Sequence, residues 1–101
     1  MKSKKIYLIK GFIRKLPSHW EADIPLLGVH TKSYCADSAL VLAKIEIIAQ
    51  FQFSDLDLDC DNGEVYMRFP YNLPFLEKVR SRIAQHSGAS EEYLLHEEEI
   101  I

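Results

Sequence analysis

Asp55, Asp57, Asp59 and Asp61 form the most chemical-looking cluster in this chain, four carboxylates at every second position. Such a set could hold a divalent cation or serve a small metal-dependent nuclease. The calcium-loop spacing is absent. An EF-hand needs Gly directly after its third acidic position and Glu six residues beyond, whereas here Asn62 precedes Gly63 and the Glu position falls on Arg68. Carboxylates alternating along a strand are equally the expected outer face of a half-exposed hairpin, where they discourage edge-to-edge aggregation. His19, His30, His86 and His96 have no spacing that puts two of them on one helix or strand face, so no metal set is expected. Cys35 as a nucleophile would need a base, and the nearest in sequence, His30, is five residues upstream on another element. The four glycines, at positions 11, 28, 63 and 88, form no phosphate loop. These residues predict no catalytic site, no metal and no cofactor, with the nuclease at Asp55–Asp61 as the enzyme-class alternative.

The elements that carry these residues are legible from periodicity. Lys4 to Leu16 reads as a strand with Ile6, Leu8 and Phe12 on one face and Tyr7, Ile9 and Ile13 on the other; apolar residues on both faces mark a central strand. Leu16-Pro17-Ser18 turns the chain into an antiparallel strand, in which Trp20, Ala22 and Ile24 alternate with Glu21 and Asp23. Pro25 and Gly28 turn it again into Val29–Ser33. A helix then opens at Ala36, capped near Ser33 or Cys35 and fading around Phe53, with Ala39, Leu40, Ala43, Ile47 and Phe51 as its buried stripe.

Leu42, Ile45, Ile48 and Ala49 lie off that stripe and would meet water in a monomer. Another surface is expected to cover them, most simply a second copy of the chain in a two-fold interface, which typically buries about 800 Å² per partner. The simpler alternative is the chain's own C-terminal segment.

Asn62-Gly63 joins Leu56–Asp61 to Glu64–Phe69 in a two-residue type I′ hairpin. Its register sets Cys60 against Val65, Leu58 against Met67 and Leu56 against Phe69 on one side; on the other, Asp59 faces Tyr66 and Asp57 faces Arg68 as a cross-strand ion pair. Pro70 stops the ladder. Asn72 caps a second helix, Leu73 to His86, ending near Gly88, with Leu76, Val79, Ile83 and Phe75 inward and Lys78, Arg80 and Arg82 outward. Ser90 to Ile101 is acidic and is expected to form a helical turn or fray.

Composition agrees with one globular domain over residues 1–101: 48% hydrophobic, 27% charged, net charge −3. That charge leaves no general nucleic-acid footprint. The start, Met1-Lys-Ser-Lys-Lys5, is basic, but the apolar segment after it is too short and polar for a signal or membrane span, so no membrane association and a cytoplasmic setting are expected. Two cysteines without C-x-x-C spacing indicate neither a disulfide framework nor a zinc ribbon.

The predicted class is α+β: an antiparallel-dominated sheet in β-β-β-α-β order with an extra hairpin strand, packed by one long apolar helix, plus a C-terminal helix. Over residues 5–70 this chain resembles the HicB antitoxin family. The resemblance rests on Glu21-Ala-Asp-Ile-Pro-Leu-Leu-Gly28, on Thr31, on Ala39 in the first helical turn, and on Gly63-Glu-Val-Tyr-Met-Arg-Phe-Pro70. It implies a reduced RNase H-like core without catalytic machinery and a homo-oligomer, dimer or higher, that neutralises a small basic mRNA-cleaving toxin. It also implies a C-terminal element that in some members binds operator DNA; here that element is only residues 71–101, a helix and an acidic tail. Val65-Tyr-Met-Arg-Phe-Pro70 is also similar to the strand of a ribbon-helix-helix repressor, which would aim Glu64, Tyr66 and Arg68 at DNA. The Asn62-Gly63 tether leaves that strand no freedom to enter a groove, so DNA is the weaker expected partner. Asp57, Asp59, Arg68, Lys78 and Arg82 are the expected partner-binding residues, and Leu42, Ile45, Ile48 and Ala49 the expected oligomer interface. A stand-alone oligomeric domain of structural or immunity type is the further alternative.

Overall fold

The first strand organises the molecule because both halves of the sheet are joined through it. The computed structural model describes residues 4–86 and 90–100. Strand β1 (Lys4–Lys15) pairs along one edge with β5 (Glu64–Pro70), from Ile6 opposite Pro70 to Phe12 opposite Glu64. Its other edge is shared. β6 (Leu95–Ile100) covers Lys4 to Ile9, and β2 (Trp20–Ile24) covers Phe12 to Lys15. β2 pairs onward with β3 (Val29–Ser33), and β5 with β4 (Asp57–Asp61), giving a six-stranded antiparallel sheet ordered β3-β2-β1-β5-β4 with β6 beside β1. The molecule is therefore an α+β fold with an antiparallel sheet and two helices.

Gly11 sits where the shared edge passes from β6 to β2, and its lack of a side chain is what permits this. A Cβ there would lie 1.9 Å from the Asp23 carbonyl oxygen, so β2 crosses close over the strand at this point.

Registry sorts the sheet into two faces. Ile13, Ala22 and Thr31 line up on one, with Ile9, Met67 and Leu58 and with Tyr7 and Phe69. Helix α1 (Ala36–Phe51) and helix α2 (Leu73–Gln85) cover that face, and Ala39, Leu40, Ala43, Ile47 and Phe51 are buried as the spacing requires. Cys35 is the N-cap, its sulfur accepting from the Ser38 N–H at 3.4 Å. The buried Thr31 hydroxyl donates to the Ala39 carbonyl at 2.8 Å, tying β3 to the first turn of α1. Asn72 caps α2, accepting from Phe75 N–H at 3.0 Å, and Phe75 stacks on Phe53 and meets Phe51 and Phe69 edge-on.

The hairpin has the predicted register at Asp57–Arg68, Leu58–Met67, Asp59–Tyr66 and Cys60–Val65. Asn62 and Gly63 both have positive φ, 51° and 78°, as a type I′ turn demands. Leu56 is buried but precedes the ladder. The tail departs from expectation. After a short helical turn at Glu91–Tyr93 it forms β6, because the first half of β1 has an open edge that pairs with six residues of the tail, and Glu97 and Glu98 there meet Lys5 at 3.8 Å and Arg68 at 3.6 Å. The expected end of the second helix at Gly88 lies outside the described residues.

Candidate protein-interaction surface

Helix α1 is apolar almost all round, so the sheet can bury only part of it. Tyr34 in the preceding turn is 84% exposed, Val41 58%, Ile45 56% and Leu42 43%. Ala49 is also exposed and Ile48 is half-buried. α2 does not cover this side. It packs instead against the C-terminal end of α1 and the Pro25–Leu27 turn, where Phe75, Leu76 and Val79 are buried. Of the four residues expected to lie off the core stripe, Leu42, Ile45 and Ala49 face solvent, and Val41 and Tyr34 extend the patch beyond what the helical spacing singled out.

Two shallow grooves flank Val41. One runs between Tyr34 and Leu42, with Ser33, Asp37 and Ser38 on its walls. The other lies between α1 and β4 and is lined by Asp37, Leu40, Val41, Lys44, Asp57 and Leu58. It exists because the helical layer stops short of the sheet edge, leaving Leu58 and Cys60 of β4 only half-buried. Apolar surface thus adjoins the carboxylates of Asp37 and Asp57.

The residues expected to bind a partner divide between two sides of the molecule. Asp57, Asp59 and Arg68 stand on the sheet face turned away from the helices, opposite the side that carries Leu58 and Met67. Asp57 is in register with Arg68, but the expected ion pair between them does not form. Arg68 instead approaches Glu98 of β6 at 3.6 Å and lies over the Tyr66 ring, while Tyr66 donates its hydroxyl to Glu64, which holds the phenol pKa above its ordinary value. Asp59 accepts the N–H of Cys60 at 2.9 Å, taking up a donor on the exposed edge strand. Lys78 and Arg82 reach across to the end of α1. Lys78 Nζ donates to the Phe51 carbonyl at 3.1 Å and Arg82 lies over the Phe51 ring, so α2 supplies the cations that the last turn of α1 lacks.

Sequence spacing missed one assembly entirely. On the outer face of β2, buried Glu21 is gripped by Arg14 through Nε (3.2 Å) and Nη2 (2.9 Å) on Oε2, while His19 Nε2 stands 3.1 Å from Oε1. Lys32 Nζ and His30 Nε2 approach Oε1, each at 3.9 Å, and His30 Nδ1 bonds Asp23 Oδ1 at 2.6 Å. Hydrogen bonds from His19 and then Arg14 hold the Glu21 carboxyl at a pKa of about 2 against an ordinary 4.5. His30 reaches this group through the β2–β3 register, which places it opposite Asp23; the signal lay in the Pro25–Gly28 turn rather than in histidine spacing.

No protein-family model matches this chain, and neither does a curated protein or a solved structure. Among the described residues no helix is long and apolar enough to cross a membrane.

Proposed function

We propose that the chain is a protein-binding module of the antitoxin type, homo-oligomeric through the open side of α1 and able to neutralise a small basic protein through the acidic β4 edge. The observation that carries this reading is the exposed apolar run Tyr34, Val41, Leu42 and Ile45 on a helix whose opposite side is already buried. Two such helices packed against each other would remove these side chains from water and extend contact toward Ile48 and Ala49. Asp57 lines the groove beside Val41, and exposed Asp59 and Asp61 follow it on the outer face of the same edge strand, an arrangement that favours encounter with a cationic partner. The element order β1-β2-β3-α1-β5, with β4 as an additional edge strand, is the β-β-β-α-β succession that the HicB resemblance implies.

The two surfaces are separable by experiment. Light scattering on the purified chain is expected to give a dimer or larger assembly, and Leu42→Glu with Ile45→Glu a monomer. Copurification from the native host is expected to recover a small basic protein at near-equal stoichiometry. Charge reversal by Asp57→Lys with Asp59→Lys should lose that protein while leaving self-association intact. A monomeric wild type removes the α1 interface, and partner recovery unaffected by charge reversal removes the β4 edge.

A further inference from the structure

The apolar run on the open side of α1 is symmetric about Val41, and charges of opposite sign stand on either side of that residue. Tyr34, Val41 and Ile48 follow one another at seven-residue intervals, close to two helical turns, so Val41 lies at the middle of the run. Asp37 comes one turn before it and Lys44 about one turn after, and all three line the groove between α1 and β4. Resting on the reading of this side as the self-association surface, we propose that two copies of α1 pack antiparallel about a two-fold axis at Val41, with Asp37 of each copy paired to Lys44 of the other.

In an antiparallel pair centred there, a residue before Val41 lies level with the residue equally far after Val41 in the other copy. Tyr34, the most exposed of these side chains, then meets half-buried Ile48, and Val41 meets its own counterpart. Asp37 falls one residue from level with Lys44, about 1.5 Å along the helix. Leu42 and Ile45 extend the contact on the flank away from these charges. A parallel pair is disfavoured by the same residues. It would set Asp37 against Asp37 and Lys44 against Lys44, two repulsions in place of two attractions, with the helix dipoles aligned.

Both charges are uncommitted within the chain. Among the described residues neither enters an ion pair. Exposed pairs of this kind add little affinity, but they fix orientation and register. Asp37 also lies in the first turn of α1, where a carboxylate favours the helix, so its replacement carries a cost inside the monomer as well.

The test is sedimentation equilibrium of the full chain carrying Asp37→Lys, Lys44→Asp, or both. Each single reversal puts two like-charged contacts into the interface and is expected to weaken the dimer about tenfold. The double reversal remakes both pairs in the opposite sense and should return the dimer constant to within about threefold of wild type. A loss due only to a weakened helix start would persist in the double variant. In a Cys35→Ser, Cys60→Ser chain, Val41→Cys should form a disulfide-linked dimer on mild oxidation, whereas Ala49→Cys, about 24 Å along the axis from its counterpart, should not. A monomeric wild type removes the α1 interface and this register together. A dimer that Leu42→Glu with Ile45→Glu abolishes, but that ignores the single reversals, is not rescued by the double one, or cross-links at Ala49 in place of Val41, overturns the antiparallel pairing alone.

Discussion

Cys35 and Cys60 carry the same thiol in opposite settings. At the N-cap of α1, the Cys35 thiol is hydrogen-bonded with the Ser38 hydroxyl and accepts the Ser38 backbone N–H, and these bonds lower its pKa; burial and then the Asp59 carboxylate raise that of Cys60. Iodoacetamide at mildly alkaline pH is therefore expected to label Cys35 several-fold faster than Cys60, as followed by peptide mass spectrometry; equal rates would contradict the assigned environments. Glu21 makes a prediction of the same kind about acid. Its carboxyl titrates near 2 when folded and near 4.5 otherwise, so it contributes stability that is complete above 4.5 and is lost as pH falls toward 2. Glu21→Gln should lower stability at neutral pH and flatten the decline between those two values, measured by urea unfolding across the series.

At the scale of elements, the long strand β1 works only because one of its residues has no side chain. Gly11→Ala would drive a methyl group into the Asp23 carbonyl at 1.9 Å, a backbone atom that cannot rotate away. The expected cost is about 3 kcal/mol, at the upper end for overpacking, and should appear as a lowered urea midpoint. The same strand explains the tail. β1 is twelve residues long while β2 pairs only with its last four, so an edge remains open until β6 fills it. The helices divide their work as unevenly, α1 being held by Thr31 at its start and by Lys78 at its end.

For the whole molecule, the distinction that matters is between apolar side chains that build the core and those that do not. Ile47 is fully buried, whereas Ile45, two residues earlier on the same helix, is 56% exposed. Ile47→Ala should cost about 2–5 kcal/mol, while Leu42→Glu with Ile45→Glu should leave monomer stability within about 1 kcal/mol yet abolish self-association. Thermal unfolding beside light scattering separates the two effects. A large stability loss in the glutamate pair would mean that these residues belong to the fold and not to an interface.

The sequence by itself determined everything governed by local period and turn chemistry. The alternation in β1, β2 and β3, the 3.6-residue stripe from Ala39 to Phe51, the Asn62-Gly63 register and the Asn72 cap all rest on interactions spanning a few residues. The excess of apolar residues on α1 was legible for the same reason. Three features depended on contacts between distant segments. Residues 95–100 became a strand because β1 had an open edge; Lys78 and Arg82 bent toward Phe51 because the end of α1 lay beside them; and His19 and His30 both came to Glu21 because the β2–β3 register brought His30 opposite Asp23. A carboxylate such as Glu98 cannot announce from its neighbours which arginine it will meet. Only the packed sheet, by fixing which strands lie side by side, decides that.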